Sequence, residues 1–263
     1  MELVSIDENH NCILGYQPLL KESHIIFKGK NNILICEENV KLSKSTIKFF
    51  GDNSIIYLAP AKHEYYLKLD IFHNCVFFFD EGFSTNGILR ISLSEEKNIL
   101  IGKDCLFSFG VWMRLANPHL LYSAKDMQRI SLTESLFIGD HVWIGQDSLI
   151  LKGSEIGSGS VIAARSIVSN KKVPSNTLWG GNPIRKISDD IFFDNYSSNV
   201  FTKETAKEHQ TFDSDKWIYK NEGEVLSFKE IDERLSSTWD LDEKIELLLS
   251  IRNNKSHNRF YVE

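Results

Sequence analysis

The chain has 263 residues, 42% hydrophobic and 25% charged, with a formal net charge of -6. That length suits one large domain or one with an appendage. Negative charge without a basic, aromatic-studded stripe excludes a general affinity for nucleic acid. The opening MELVSIDENHNCILGYQ lacks a positive stretch leading into an apolar core, and the densest apolar run, CVFFF at 75–79, is far too short for a membrane span. A cytoplasmic location follows as the expectation. The four cysteines, Cys12, Cys36, Cys75 and Cys105, have no zinc-like or redox-like spacing. Cys36 and Cys105 sit in apolar stretches and read as small core residues.

From about Ile25 to Leu100, short apolar runs alternate with clusters of Asn, Gly, Lys and Glu, as in NNILICEENVKL and STIKFFGDNSIIYLA. These are strands separated by turns, read as the early, imperfect coils of a solenoid. A six-residue spacing first shows at Ile101, Phe107 and Met113. It resumes at Leu132 and Ile138; Leu132 lies 19 residues after Met113, not a multiple of six, so a segment near 114–131 leaves the lattice as an excursion loop. Within it, Asn117-Pro118 is a turn signal.

Then comes FIGDHVWIGQDSLILKGSEIGSGSVIAARSIVSN, in which Ile or Val returns at 138, 144, 150, 156, 162 and 168. A helix requires a spacing near 3.6 and a half-buried strand a spacing of 2, so a period of six needs a bend once per repeat. Val142, Ser148, Ser154, Ser160 and Ser166 lie two residues before the next Ile or Val, on the same strand face. Gly139, Gly145 and Gly157 follow the Ile and favour turns. Three such strand-and-corner units close one triangular circuit of a parallel solenoid. The repeat is expected to end after Lys172, where Pro174 and Pro183 cannot supply ladder hydrogen bonds. The division is therefore a β-helix domain over 1–187 and a mostly helical extension over 188–263, with one helix capped by Ser227 and Glu230. A second helix starts at Asp240 and lines Leu241, Ile245, Leu248 and Leu249 along one face.

A solenoid filled with Ile, Val and Ser has no room for substrate, so chemistry belongs on its outside. Two residues qualify. His119, in the excursion loop, carries a side chain that titrates near neutral pH and can take a proton from a hydroxyl. Trp143 points outward by strand alternation, offering an N–H donor and a flat face. Without further information, a loop histidine is as well explained as a surface residue, and an outward indole as part of a subunit contact.

The hexads IGDHVW, IGQDSL, ILKGSE, IGSGSV and IAARSI resemble those of the hexapeptide-repeat acyltransferases, which implies an all-β, left-handed parallel β-helix. GVWMRLANPHLLYS followed by IGDHVWIGQDSLILKG is similar to the branch holding galactoside, chloramphenicol and capsular polysaccharide acetyltransferases, above all the bacterial polysialic acid O-acetyltransferases. The resemblance implies His119 as the base and Trp143 beside the reacting centre. Arg114, Asn117 and Tyr122 are candidate acceptor contacts. Where the family often has Asp two residues before the histidine, this chain has Asn117, so a carboxylate to orient the imidazole must come from elsewhere. The resemblance also implies acetyl-CoA as donor, with no metal, in a groove between subunits of a homotrimer. Candidate donor contacts are Gly145, Ala163 and Ala164, where small side chains admit close approach, and the cations Arg165, Lys171, Lys172, Arg185 and Lys186 for its phosphates.

These expectations describe an O-acetyltransferase acting directly on a carbohydrate hydroxyl, with sialic acid of a capsule or surface polysaccharide as acceptor. No serine or cysteine lies in a nucleophile motif. The alternatives are another acceptor (a different sugar, a nucleotide-sugar amine, serine or a drug), a metal-dependent carbonic anhydrase of the same fold, or a non-catalytic trimeric scaffold. His119 and His141 form no close ligand pair of the zinc kind.

Overall fold

In the computed structural model, which describes residues 1–263, the chain winds round a three-sided prism with one parallel sheet on each side. The first face runs from Cys12–Gly15 through Ile33–Cys36, Ile55–Leu58 and Val76–Phe79 to Leu136–Ile138, Glu155–Ile156 and Lys172–Val173. The second includes Leu106–Phe107, Trp143–Ile144, Val161–Ile162 and Leu178–Gly180; the third includes Leu89–Leu93, Trp112–Arg114 and Leu149–Leu151. The left-handed parallel β-helix implied by the hexads, followed by a helical extension, is the architecture of this chain.

All six lattice residues from Ile138 to Val168 are fully buried, as are Val142, Ser148, Ser154, Ser160 and Ser166 at the adjoining inward positions. The early coils are longer. Ile13 pairs with Leu34, Leu34 with Ile56, Ile56 with Phe77 and Phe77 with Ile99, steps of 21 or 22 residues. Phe137 pairs with Glu155 and Glu155 with Lys172, steps of 18 and 17. A 22-residue circuit carries strands of mostly three to five residues and cannot show a six-residue period. Its corners are instead marked by Asn31, Asn53 and Asn74, all at positive φ, whose amides bond from one coil to the next at 3.3 Å. Asn tolerates this left-handed conformation because its short polar side chain can bond locally.

Four expectations are corrected. The coils begin at Cys12, not near Ile25. Leu132 is exposed, Leu115 is still in the core, and Ser135 already bonds to the neighbouring coils, so the excursion fills 116–134. Pro174 does not end the repeat, because Val161 and Ile162 still pair in parallel with Leu178 and Trp179. Nor do Gly139, Gly145 and Gly157 make the turn: the positive-φ corners are His141, Asp147, Gly153, Gly159 and Arg165. At Gly145 an added Cβ would lie 2.5 Å from the Ala164 backbone nitrogen. The glycine is required because the next coil approaches too closely for any side chain.

The extension packs against its own solenoid. Helix occupies Lys203–Glu208 (α1), Phe228–Ser237 (α2) and Leu241–Asn253 (α3), with irregular chain between, so the segment is less helical than expected. Ser227 accepts from the Glu230 N–H and Asp240 from those of Asp242 and Glu243, the caps anticipated from sequence. α2 and α3 cover the outer side of the first face: Phe228 stacks on Phe137 and Phe260, and Ile231, Leu235, Leu247, Leu248 and Ile251 join Ile35, Tyr57 and Phe78 in one cluster. A sheet covered on both sides shows continuous apolar runs rather than alternation, which accounts for VFFF at 76–79. Arg259, 1% exposed, fastens the end of the chain through two bonds to Asp140 (2.8 and 2.7 Å) and one to Asp80 (2.6 Å). No helix is long and apolar enough to cross a membrane.

Candidate functional site

The outer side of the second face holds a groove of about 530 Å³, and its position follows from strand alternation. Phe107, Ile144 and Ile162 point into the prism, so their neighbours Leu106, Trp143 and Val161 on one side point out. On the other side the next outward positions are Asn86, Ser108, Gly145 and Ala163, joined by backbone bonds to the Phe107, Ile144, Ile162 and Trp179 carbonyls. The missing side chain of Gly145 and the short ones of Ala163 and Ala164 form the floor; Trp143, Phe109, Val161 and Leu178 form apolar walls. Trp143, 36% exposed, directs its Nε1–H to the Ser108 Oγ at 3.1 Å. The indole N–H offered by the sequence as a free donor is thus already engaged, and Ser108 is a groove residue that sequence reasoning missed. Its only signal was its place one residue beyond inward-pointing Phe107.

A segment of the extension braces this wall. Phe193 packs against Trp143 with ring centroids 5.8 Å apart. It also stacks on His141, which Trp217 covers on the opposite side, and its carbonyl accepts from His141 Nε2 at 2.8 Å. Burial is the main reason that the His141 imidazole is pushed down to about 4, so it is neutral near pH 7. Asn176 ties the segment down, donating to the Ile191 and Trp217 carbonyls and accepting from the Tyr219 N–H.

The remaining candidates divide. Gly145, Ala163 and Ala164 line the groove with Trp143. Arg165 stands at the adjoining corner, and Arg185 and Lys186 lie on the edge strand paired with Leu178–Gly180. Lys171 and Lys172 lie elsewhere: the Lys171 ammonium sits 5.0 Å over the Trp179 ring, and Lys172 faces a depression on the first face beside Glu155 and Lys229. His119, Asn117 and Tyr122 are exposed in the excursion, and none lines the groove within one chain. Asn117 donates to Ser131 Oγ at 3.1 Å, an anchor across the base of the excursion. Arg114 lies half-buried on the third face with its guanidinium 5.4 Å from the Trp112 ring.

Residues 136–170 match the family described as bacterial transferase hexapeptide (six repeats). The match takes in the lattice from Ile138 to Val168, so the late coils carry the hexapeptide repeat. It is 27% identical over 139 residues to the polysialic acid O-acetyltransferase of Neisseria meningitidis, a match spanning 53% of this chain and 64% of that relative, just under two thirds of its length. Among solved structures, the polySia-specific acetyltransferase NeuO is similar over 76% of this chain and 93% of its own, at 27% identity and a TM-score of 0.63. The polysialic acid O-acetyltransferase OatWY shares the fold over 74% of this chain and 96% of its own, at 23% identity and a TM-score of 0.58.

Proposed function

We propose that the protein is an acetyl-CoA-dependent O-acetyltransferase whose acceptor is a carbohydrate hydroxyl, with sialic acid in a polysaccharide as the specific form. The observation that carries the reading is the groove in which Trp143 stands over a floor of Gly145, Ala163 and Ala164. A narrow apolar slot with a small-residue floor fits a pantetheine arm lying close to backbone, and Arg165 at the adjoining corner with Arg185 and Lys186 on the edge strand are the cations assigned to the donor's phosphates. Similarity to NeuO at 27% identity supports the acceptor class.

His119 acts as general base. It removes the hydroxyl proton, the oxygen attacks the thioester carbonyl, and the thiolate departs with that proton returned. Because His119 is exposed and outside the groove of its own chain, it serves the groove of a second copy in a homotrimer. The exposed apolar residues of the same excursion, Leu120, Leu121 and Ile130, support such a contact. Cytoplasmic placement suits a reaction that draws on acetyl-CoA.

The test is release of free thiol from acetyl-CoA with sialic acid polymer, a neutral glycan or no acceptor. Release stimulated only by the sialylated polymer supports the full reading. Stimulation by the neutral glycan alone moves the acceptor to another sugar, and absence of acetyl-CoA binding by calorimetry removes the transferase reading.

A further inference from the structure

We infer that the hydroxyl of Ser108, held by the Trp143 indole, is the donor that takes up negative charge on the thioester carbonyl oxygen during transfer. The inference rests on the acyl-transfer reading above and adds a catalytic residue to it.

The argument follows the protons. An indole N–H can only donate, whereas a serine hydroxyl has one proton and two acceptor lone pairs. The 3.1 Å contact between Trp143 Nε1 and Ser108 Oγ therefore has one direction, from indole to hydroxyl. It occupies a lone pair and leaves the hydroxyl proton free, and Ser108 Oγ donates to no group in the chain. Ser108 lines the groove, so that proton is available to a bound ligand. Accepting one hydrogen bond strengthens the next one donated.

Two backbone donors on the groove floor are committed. The N–H groups of Gly145 and Ala163 bond to the Ile162 and Trp179 carbonyls at 2.7 and 2.8 Å. Gln146 donates its side-chain amide to Asp147 and, like Asn86, is exposed at the rim. Ser108 is half-buried, and its N–H is fixed to the Ile144 carbonyl at 3.0 Å. Phe109, Val161 and Leu178 keep the surroundings apolar, where a fixed donor is worth more than in water.

In the reaction the acceptor oxygen forms a bond to the carbonyl carbon as His119 takes its proton. The carbonyl π pair moves onto the oxygen that receives the Ser108 hydrogen bond. When that pair returns, the carbon–sulfur bond breaks and the thiolate takes the proton from His119.

The test compares Ser108→Ala, Ser108→Cys, Trp143→Phe and the double variant Ser108→Ala with Trp143→Phe. Readouts are kcat for thiol release and acetyl-CoA affinity by calorimetry. Ser108→Ala is expected to lower kcat by roughly 10²- to 10³-fold, with affinity unchanged within about threefold. Ser108→Cys, similar in size but a weak donor, is expected to match it. The double variant is expected to be no slower than Ser108→Ala alone, because the indole acts through the hydroxyl. A Ser108→Ala enzyme within tenfold of the wild type, or a double variant whose losses multiply, overturns the assignment while leaving the transferase reading intact. A wild-type protein that neither binds acetyl-CoA nor releases thiol overturns both.

Discussion

The His141 imidazole and the Trp217 indole lie face to face, 3.5 Å apart at their centroids and 5° from parallel, with Phe193 stacked 4.0 Å away on the other side. Both aromatic partners come from the extension, so a lattice corner of the β-helix and the chain from 191 to 219 are joined through one buried ring.

This stack gives the extension a pH dependence. Burial is the main cause lowering the His141 pKa from 6.5 to about 4, with Lys216 acting in the same direction and Asp194 opposing it. Between those values the unfolded chain binds more protons than the folded one, so stability rises with pH across the window. The contribution is complete above about pH 6.5 and is lost as pH falls through about 4. At about 1.4 kcal/mol per unit, it is on the order of 3 kcal/mol. Thermal unfolding followed from pH 7 to pH 4 should show the loss, and His141→Asn, which suits the positive φ there, should flatten the slope. An unchanged slope in that variant removes His141 as the source.

Arg259 should be the most sensitive charged position in the extension. Arg259→Met leaves Asp140 buried without its cation and Asp80 with only Arg252, 3.4 Å away, a change that costs about 3–5 kcal/mol. Denaturant unfolding measures the loss; a change below about 1 kcal/mol means the two carboxylates find other partners.

His119→Ala should separate activity from stability. The side chain is exposed and makes no hydrogen bond in the chain, so the melting temperature should stay within experimental scatter. Thiol release should fall by roughly 10²- to 10⁴-fold, the contribution of a positioned base. Unchanged turnover removes His119 from the mechanism.

Gly145→Ala should harm the fold as well as the groove. Its new Cβ meets the rigid backbone of the next coil, and overpacking of this kind costs about 1–3 kcal/mol. The expected result is a lower melting temperature together with weaker acetyl-CoA binding; weaker binding at full stability would mean that the glycine matters only for ligand access.

The six-residue lattice from Ile138 to Val168 was legible because each late circuit takes about 18 residues, three equal sides of six, and every inward position must be apolar or small. Alternation assigned Trp143 outward, whereas Gly145, Ala163 and Ala164 stood out only as small residues near the corners; the fold lines all four along one groove. Helix caps at Ser227 and Asp240 are local chemistry and could be read directly. The early coils defeated the same reading because their 21- or 22-residue circuits spread the inward positions unevenly.

Tertiary structure alone decided the rest. Ser108 and Trp143 are 35 residues apart in sequence and become partners only when one coil lies on the next across the excursion. The pairing of Arg259 with Asp80 and Asp140, and the enclosure of His141 by Phe193 and Trp217, depend on which side of the prism the extension covers. Periodicity records which way a side chain points, because that is fixed by the local backbone. It carries no record of which distant segment arrives to meet it, since that depends on buried area and charge summed over the whole molecule.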